Sequence, residues 1–161
     1  MKEPTQNQPK LYISRDQYQN LAFEVCQSIS PQSLARGTVV VGIANGGILF
    51  AEYLAVSLDL PLTLIHPNTK PLPIQVLNVL EGRSVLLVDD ISDSGETLRF
   101  WRDYLMSRGC SVKIATLFER KGTKVHPDFV GQQLESQDWL VFWWEPEFIW
   151  TEADIQDDHI I

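Results

Sequence analysis

Ser84-Val85-Leu86-Leu87-Val88-Asp89-Asp90-Ile91-Ser92-Asp93-Ser94-Gly95-Glu96-Thr97-Leu98 carries both a fold signal and a chemical one. Ser84–Val88 is short, unbroken and apolar, the pattern of a strand buried on both faces. It delivers Asp89 and Asp90 to the strand's end, after which Ser92–Gly95 makes a turn and Glu96–Ser107 reads as a helix closed by Gly109. A turn of Ser, Gly and Thr at a helix start offers backbone N–H groups, hydroxyls and the positive end of the helix dipole, which together suit a phosphate. Two carboxylates beside such a cradle repel phosphate unless they bind something else. Sugar hydroxyls, or a hydrated Mg²⁺ shared with phosphate oxygens, resolve that conflict, so the implied ligand is a phosphorylated sugar. The bland alternative makes Asp93 or Ser94 a helix cap and the aspartates solvated, and it accounts for single residues but not for the whole string.

The same alternation of strand and helix extends outward from this run. Upstream, Thr38–Ile43 is a β-branched strand, Asn45-Gly46-Gly47 breaks it, and an apolar helix follows over about 48–58. Leu62–Ile65 is the next strand, and His66–Pro73, with three prolines, is a surface loop. Downstream, Val112–Phe118 supplies a further strand. Nearer the start, residues 1–10 read as a loose arm, Ser14 and Gln17 as a capping box, and Tyr18, Leu21, Ala22, Val25, Cys26 and Ile29 as the apolar face of a helix over 15–29 that Pro31 stops. The expectation is an α/β fold: a mainly parallel twisted sheet with helices on both faces and ligands outside the carboxyl ends of its strands. Loops 44–47, 66–73, 89–95 and 119–124 should share that edge. Residues 1–161 read as a single domain, with a core over about 11–124, a small C-terminal hood or flap over 125–150 and an acidic tail over 151–161. The hood holds Trp139, Trp143, Trp144 and Trp150, four of the five tryptophans.

Composition narrows the function classes. The 161 residues are 44% hydrophobic and 21% charged, enough for one packed core and unlike a disordered chain. Lys plus Arg number 13 against 21 Asp plus Glu, a formal charge of −8 that disfavours nucleic-acid binding. All 13 basic residues precede position 125. Cys26 and Cys110 have neither CxxC spacing nor neighbouring histidines, so reduced thiols are expected. His66, His126 and His159 lack metal-ligand spacing. No long apolar stretch reads as a membrane span, and a cytoplasmic location is expected. Neither GxxxxGK[ST] nor GxGxxG occurs, so both common nucleotide-fold fingerprints are missing.

Residues 84–98 resemble the phosphoribosyl pyrophosphate (PRPP) motif of type I phosphoribosyltransferases, a Rossmann-like family, and the resemblance extends over roughly 11–150, closest to the xanthine-guanine (6-oxopurine) branch. It implies that Asp89 and Asp90 contact the ribose hydroxyls, directly or through metal, and that Asp93, Ser94, Gly95, Glu96 and Thr97 wrap the 5′-phosphate, with Ser94 replacing the usual threonine. Ala44, Asn45, Gly46 and Gly47 resemble the family's pyrophosphate loop, and the peptide before the glycines, Ala44–Asn45, corresponds to one that is often strained. Relatives handling purines commonly have arginine or lysine where this chain has Asn45. An acid at Asp93 is typical of 6-oxopurine enzymes, where it holds the N7 proton of the base. Arg120 by direct counting, or Lys121 with a one-residue shift, matches the cation that meets O6. The segment from Asp138 to Glu145 resembles the branch's aromatic-plus-acid segment: Trp139 would stack on the purine, Leu140 offer its carbonyl, and Glu145 meet an exocyclic amine or a metal. Trp143, Trp144 and Trp150 read more simply as core or dimer contacts. Residues 66–73 match a loop that closes over PRPP. The resemblance thus implies a Mg²⁺-dependent purine phosphoribosyltransferase of nucleotide salvage, a homodimer acting on PRPP and xanthine, guanine or hypoxanthine. The alternative is a PRPP- or nucleotide-sensing regulator of the same fold, motivated by Asn45.

Overall fold

The computed structural model describes residues 8–29, 33–69 and 71–146. The acidic tail, Trp150, Lys70, Pro31 and residues 1–7 of the arm lie outside the described residues. In chain order the elements are β1 (Lys10–Ile13), α1 (Arg15–Ser28), β2 (Val39–Ile43), α2 (Ile48–Ser57), β3 (Leu62–Ile65), α3 (Ile74–Leu80), β4 (Ser84–Ser92), α4 (Glu96–Ser107), β5 (Ser111–Arg120), β6 (Phe129–Leu134) and β7 (Trp139–Phe142). The chain divides into two compact units, one of residues 21–135 and one that combines 1–20 with 136–161.

The larger unit is built on a five-stranded sheet in the order β3-β2-β4-β5-β6, every pair parallel. Its central strands are apolar throughout because both faces are covered: all of β2 and Val85–Val88 of β4 are buried. Val39, Val41 and Ile43 face a core shared with Leu77 and Leu80 of α3 and Leu98, Trp101 and Leu105 of α4. The opposite face of β2 takes α2, where a Cβ on Gly42 would come within 2.6 Å of the Ala51 Cβ. That glycine lets helix and strand backbones approach closely.

In the smaller unit β1 pairs in parallel with β7, Lys10 opposite Trp139 and Ile13 opposite Phe142. Ser14 and Gln17 form the expected reciprocal box: the Ser14 N–H donates to Gln17 Oε1 at 2.9 Å and the Gln17 N–H to Ser14 Oγ at 3.2 Å. Trp144 stacks on Phe142 at 4.5 Å and meets the edge of Tyr18 at 5.3 Å, while the Arg15 guanidinium lies 5.5 Å from the Trp143 ring. Trp143 and Trp144 are therefore packing residues of this unit.

Three elements differ from the sequence reading. Strand β1 starts at Lys10, the last residue of the expected loose arm, and runs on to Ile13 where the sequence assigns no element; its partner is remote in sequence. Helix α3 follows Pro73 and is too short for a helical period to declare itself; Leu77 and Leu80 are its buried pair. Strand β6, which falls in the stretch expected as hood, is an edge strand of the main sheet, and the boundary between the two compact units lies at 135/136.

Candidate functional site

Strand order reverses between β2 and β4: the chain leaves β2 toward β3 on one side and β4 toward β5 on the other. In a doubly wound sheet the crevice at that switch point is where ligands bind. The loop after β2 and the end of β4 meet there. A Cβ on Gly46 would overlap the Asp90 carboxyl, and one on Gly47 would lie 2.8 Å from Asp89 Cα, Ile43 O and Val88 O. Only glycine fits both positions. The peptide Ala44–Asn45 is cis. The Ala44 N–H donates to Ile65 O at 2.8 Å and the Gly47 N–H to Ile43 O at 3.0 Å, so these two N–H groups are committed to the fold, while Asn45 between them is exposed.

Strand β4 runs to Ser92, so Asp89 and Asp90 lie within the strand rather than beyond it. Asp90 is 8% exposed. Burial first, then the charge of Asp90 and a hydrogen bond between the two carboxyls, push Asp89 well above the usual carboxylate range. Burial raises Asp90 as well. A pair that resists carrying two charges when alone is matched to a partner offering hydroxyl donors or positive charge. Hard carboxylate oxygens suit Mg²⁺, and among the described residues no group of three or more His, Cys, Asp or Glu side chains could hold a metal by itself. A cation here would draw its remaining ligands from substrate oxygens and water, which is how Mg²⁺ is commonly held.

Gly95 enters α4 in the left-handed conformation, φ 77°. Asp93 and Ser94 are exposed, Gly95 is buried, and Thr97 is half-buried on the first turn. The Ser94 hydroxyl accepts the Glu96 N–H at 3.4 Å. The Arg120 Nε donates to Asp93 Oδ1 at 2.5 Å; the Arg120 side chain is only 8% exposed, that of Asp93 57%. Lys121 points elsewhere: its Nζ donates to Glu135 at 2.8 Å and its backbone N–H to Leu134 O at 3.0 Å. Of the two cations suggested by sequence, the structure brings Arg120 to Asp93 and gives Lys121 to β6.

Beyond β5 the chain returns to the turn at residues to which the sequence reading gave no role. The Lys124 N–H donates to Ser94 O at 3.2 Å, and Ser92 Oγ bonds to Thr123 Oγ1 at 2.9 Å and to Val125 O at 2.7 Å. The available signals were Gly122, with φ 90°, and the basic run around it. On the sheet's same edge, buried Glu119 hydrogen-bonds His126 and accepts from Gln133 at 3.0 Å.

Trp139, Leu140 and Glu145 belong to the smaller unit. Trp139 is half-buried and donates its backbone N–H to Pro9 O at 2.7 Å. Leu140 is buried opposite Leu11. The Glu145 Oε1 accepts the Phe142 N–H at 3.2 Å, closing its own turn.

Comparison with known proteins follows the same residues. A family model described as a phosphoribosyl transferase domain matches residues 14–148. The hypoxanthine-guanine phosphoribosyltransferase of Lactococcus lactis subsp. lactis (strain IL1403) is 26% identical over 137 residues, covering 76% of this chain and 75% of that protein. An orotate phosphoribosyltransferase of Aeropyrum pernix is 30% identical over 107 residues, covering 64% of this chain and 56% of its own length. Among solved structures, a purine phosphoribosyltransferase from Pyrococcus horikoshii Ot3 superposes with a TM-score of 0.69 at 28% identity, covering 84% of this chain and 94% of that one. With the family model spanning most of its length and the motif seated at the switch point of a parallel sheet, the chain belongs to the type I phosphoribosyltransferases and is an enzyme of that family.

Proposed function

We propose that the protein transfers the 5-phosphoribosyl group of PRPP to a 6-oxopurine, xanthine, guanine or hypoxanthine, releasing pyrophosphate in purine salvage. The observation that carries this reading is the Asp93–Arg120 pair. A carboxylate acceptor joined to a guanidinium donor is the complement of the adjacent N7–H and O6 of a 6-oxopurine, and an adenine, with an amine at position 6, would meet Arg120 donor to donor. Arg120 rather than Lys121 takes the O6 role.

Asp89 and Asp90 hold the ribose hydroxyls. Asn45 and Gly46 offer their N–H groups to pyrophosphate, while Ala44 and Gly47 shape the loop. Ser94, Gly95, Glu96 and Thr97 cradle the 5′-phosphate at the start of α4. Mg²⁺, which the family generally uses with PRPP, would be held by Asp89 and Asp90 through ribose or water and would supply positive charge beside the leaving pyrophosphate. As the anomeric C–O bond breaks, its electron pair departs with pyrophosphate and positive charge grows on the ribose, where Asp89 and Asp90 stabilise it. A base nitrogen forms the new C–N bond and Asp93 accepts the N7 proton. For Trp139, Leu140 and Glu145, and for closure of loop 66–73 against water, the proposal is the one that the resemblance implies. The same holds for a homodimer and a cytoplasmic location; among the described residues no helix is long and apolar enough to cross a membrane.

Purified protein incubated with PRPP, Mg²⁺ and each of the three bases, followed by absorbance or labelled base, tests the assignment. Nucleotide from at least one base is expected, and none from any would reject it. The exposed Asn45, which brings no cation to the pyrophosphate loop, supports a second reading as a PRPP sensor. PRPP binding without turnover would favour the sensor, and rapid turnover would dismiss it.

A further inference from the structure

The turn proposed to hold the 5′-phosphate contains two acids, Asp93 and Glu96, and no basic residue. A phosphate brings nearly two further negative charges, and like charges in one turn repel. Arg120 answers Asp93. Glu96 is answered by Lys124, whose Nζ lies 3.6 Å from Glu96 Oε1. Lys124 reaches this place because the loop after β5 is built into the turn. A Cβ on Gly95 would lie 2.7 Å from Thr123 Oγ1 and 2.8 Å from the Val125 nitrogen, so the glycine admits that loop. The Lys124 N–H bonded to Ser94 O and the Ser92–Thr123–Val125 hydrogen bonds then fix its backbone.

The backbone of Lys124 is thus anchored while its side chain stays 60% exposed, joined to Glu96 by a long surface pair. Such pairs contribute little and are readily exchanged for a stronger partner. We propose that Lys124 supplies the cation of the 5′-phosphate site, with Glu96 holding its ammonium beside the turn until a phosphate takes it over. This inference rests on the reading of residues 93–97 as the phosphate cradle and adds to it a residue outside the motif.

Calorimetry with PRPP and Mg²⁺, and steady-state kinetics, separate the two. Lys124→Ala should raise KM for PRPP about tenfold and weaken PRPP binding by the same factor, with kcat within about twofold and an unchanged melting temperature. Lys124→Arg should restore most of the loss. Glu96→Gln in the Lys124→Ala background should not rescue KM, because the missing contact is to phosphate. Rescue by that second change would show that Lys124 only neutralises Glu96 and would overturn the inference. Equal PRPP binding by wild type and Lys124→Ala would overturn it while leaving the cradle standing. Absence of PRPP binding by the wild type would remove the cradle itself.

Discussion

The two loops that serve the switch point are specified in opposite ways. Residues 44–47 present bare backbone: no charged side chain, and two glycines whose places are fixed by what would collide with a Cβ. Residues 93–97 present charge: two acids, one joined to Arg120 at the end of β5 and the other to Lys124 in the loop that follows it. A loop defined by exclusion depends on its immediate neighbours, whereas a turn defined by charge depends on a strand some distance along the chain. The contrast predicts that substitutions in the first loop act sterically and those in the second electrostatically.

The largest effect should come from removing the turn's functional charge. Asp93→Asn keeps the side chain's size at a position more than half exposed, so the fold should be unaffected. On the proposed N7 role, kcat/KM for the purine should fall by about 100- to 10,000-fold, the usual range for a positioned acid or base. Steady-state kinetics beside a melting curve check this. A loss of only a few-fold would refute the N7 role and erase the charge-defined half of the contrast.

The glycines offer a sharper internal test because their obstacles differ. On Gly47 an added methyl meets backbone on three sides at 2.8 Å, atoms that cannot move without shifting β2 or β4. Gly47→Ala should therefore lower stability by about 1–3 kcal/mol, the usual cost of overpacking, as measured by denaturant unfolding. On Gly46 the obstacle is the Asp90 carboxyl, the end of a side chain. Gly46→Ala should cost less stability but weaken PRPP binding severalfold, since Asp90 must leave its place. Equal stability losses for the two would show that the loop is not built around the carboxyl.

How much of this was legible in sequence follows the same division. Local spacing placed β4, the start of α4 at Glu96 and the glycine break after β2, because each depends on residues a few positions apart. The capping box of Ser14 and Gln17 was readable for the same reason. What was not legible depended on partners remote along the chain. Leu11 and Tyr12 give no hint that their partners are Leu140 and Val141, so the sequence assigns no strand to them. Counting along the motif could not tell Arg120 from Lys121, because the choice turns on which side chain the β5–β6 pairing directs back toward Asp93. Nor did any local pattern tie Lys124 to Ser94; that bond exists because Gly95 leaves room for it.

The smallest predicted effect tests the Arg120–Lys121 distinction from the other side. Lys121 is 72% exposed and bonded to Glu135, which is itself 76% exposed, and its backbone is held to Leu134 of β6. A pair so open to water adds little to stability, and its geometry directs the ammonium toward the edge strand rather than toward Asp93. Lys121→Ala should therefore change kcat/KM for the base by less than about twofold, whereas Arg120→Lys should lower it clearly, because an ammonium cannot reproduce the planar donor fork that meets Asp93 and, in the proposed complex, O6. If Lys121→Ala proved the more damaging, the one-residue shift would be correct and the buried arginine would be a structural partner of Asp93.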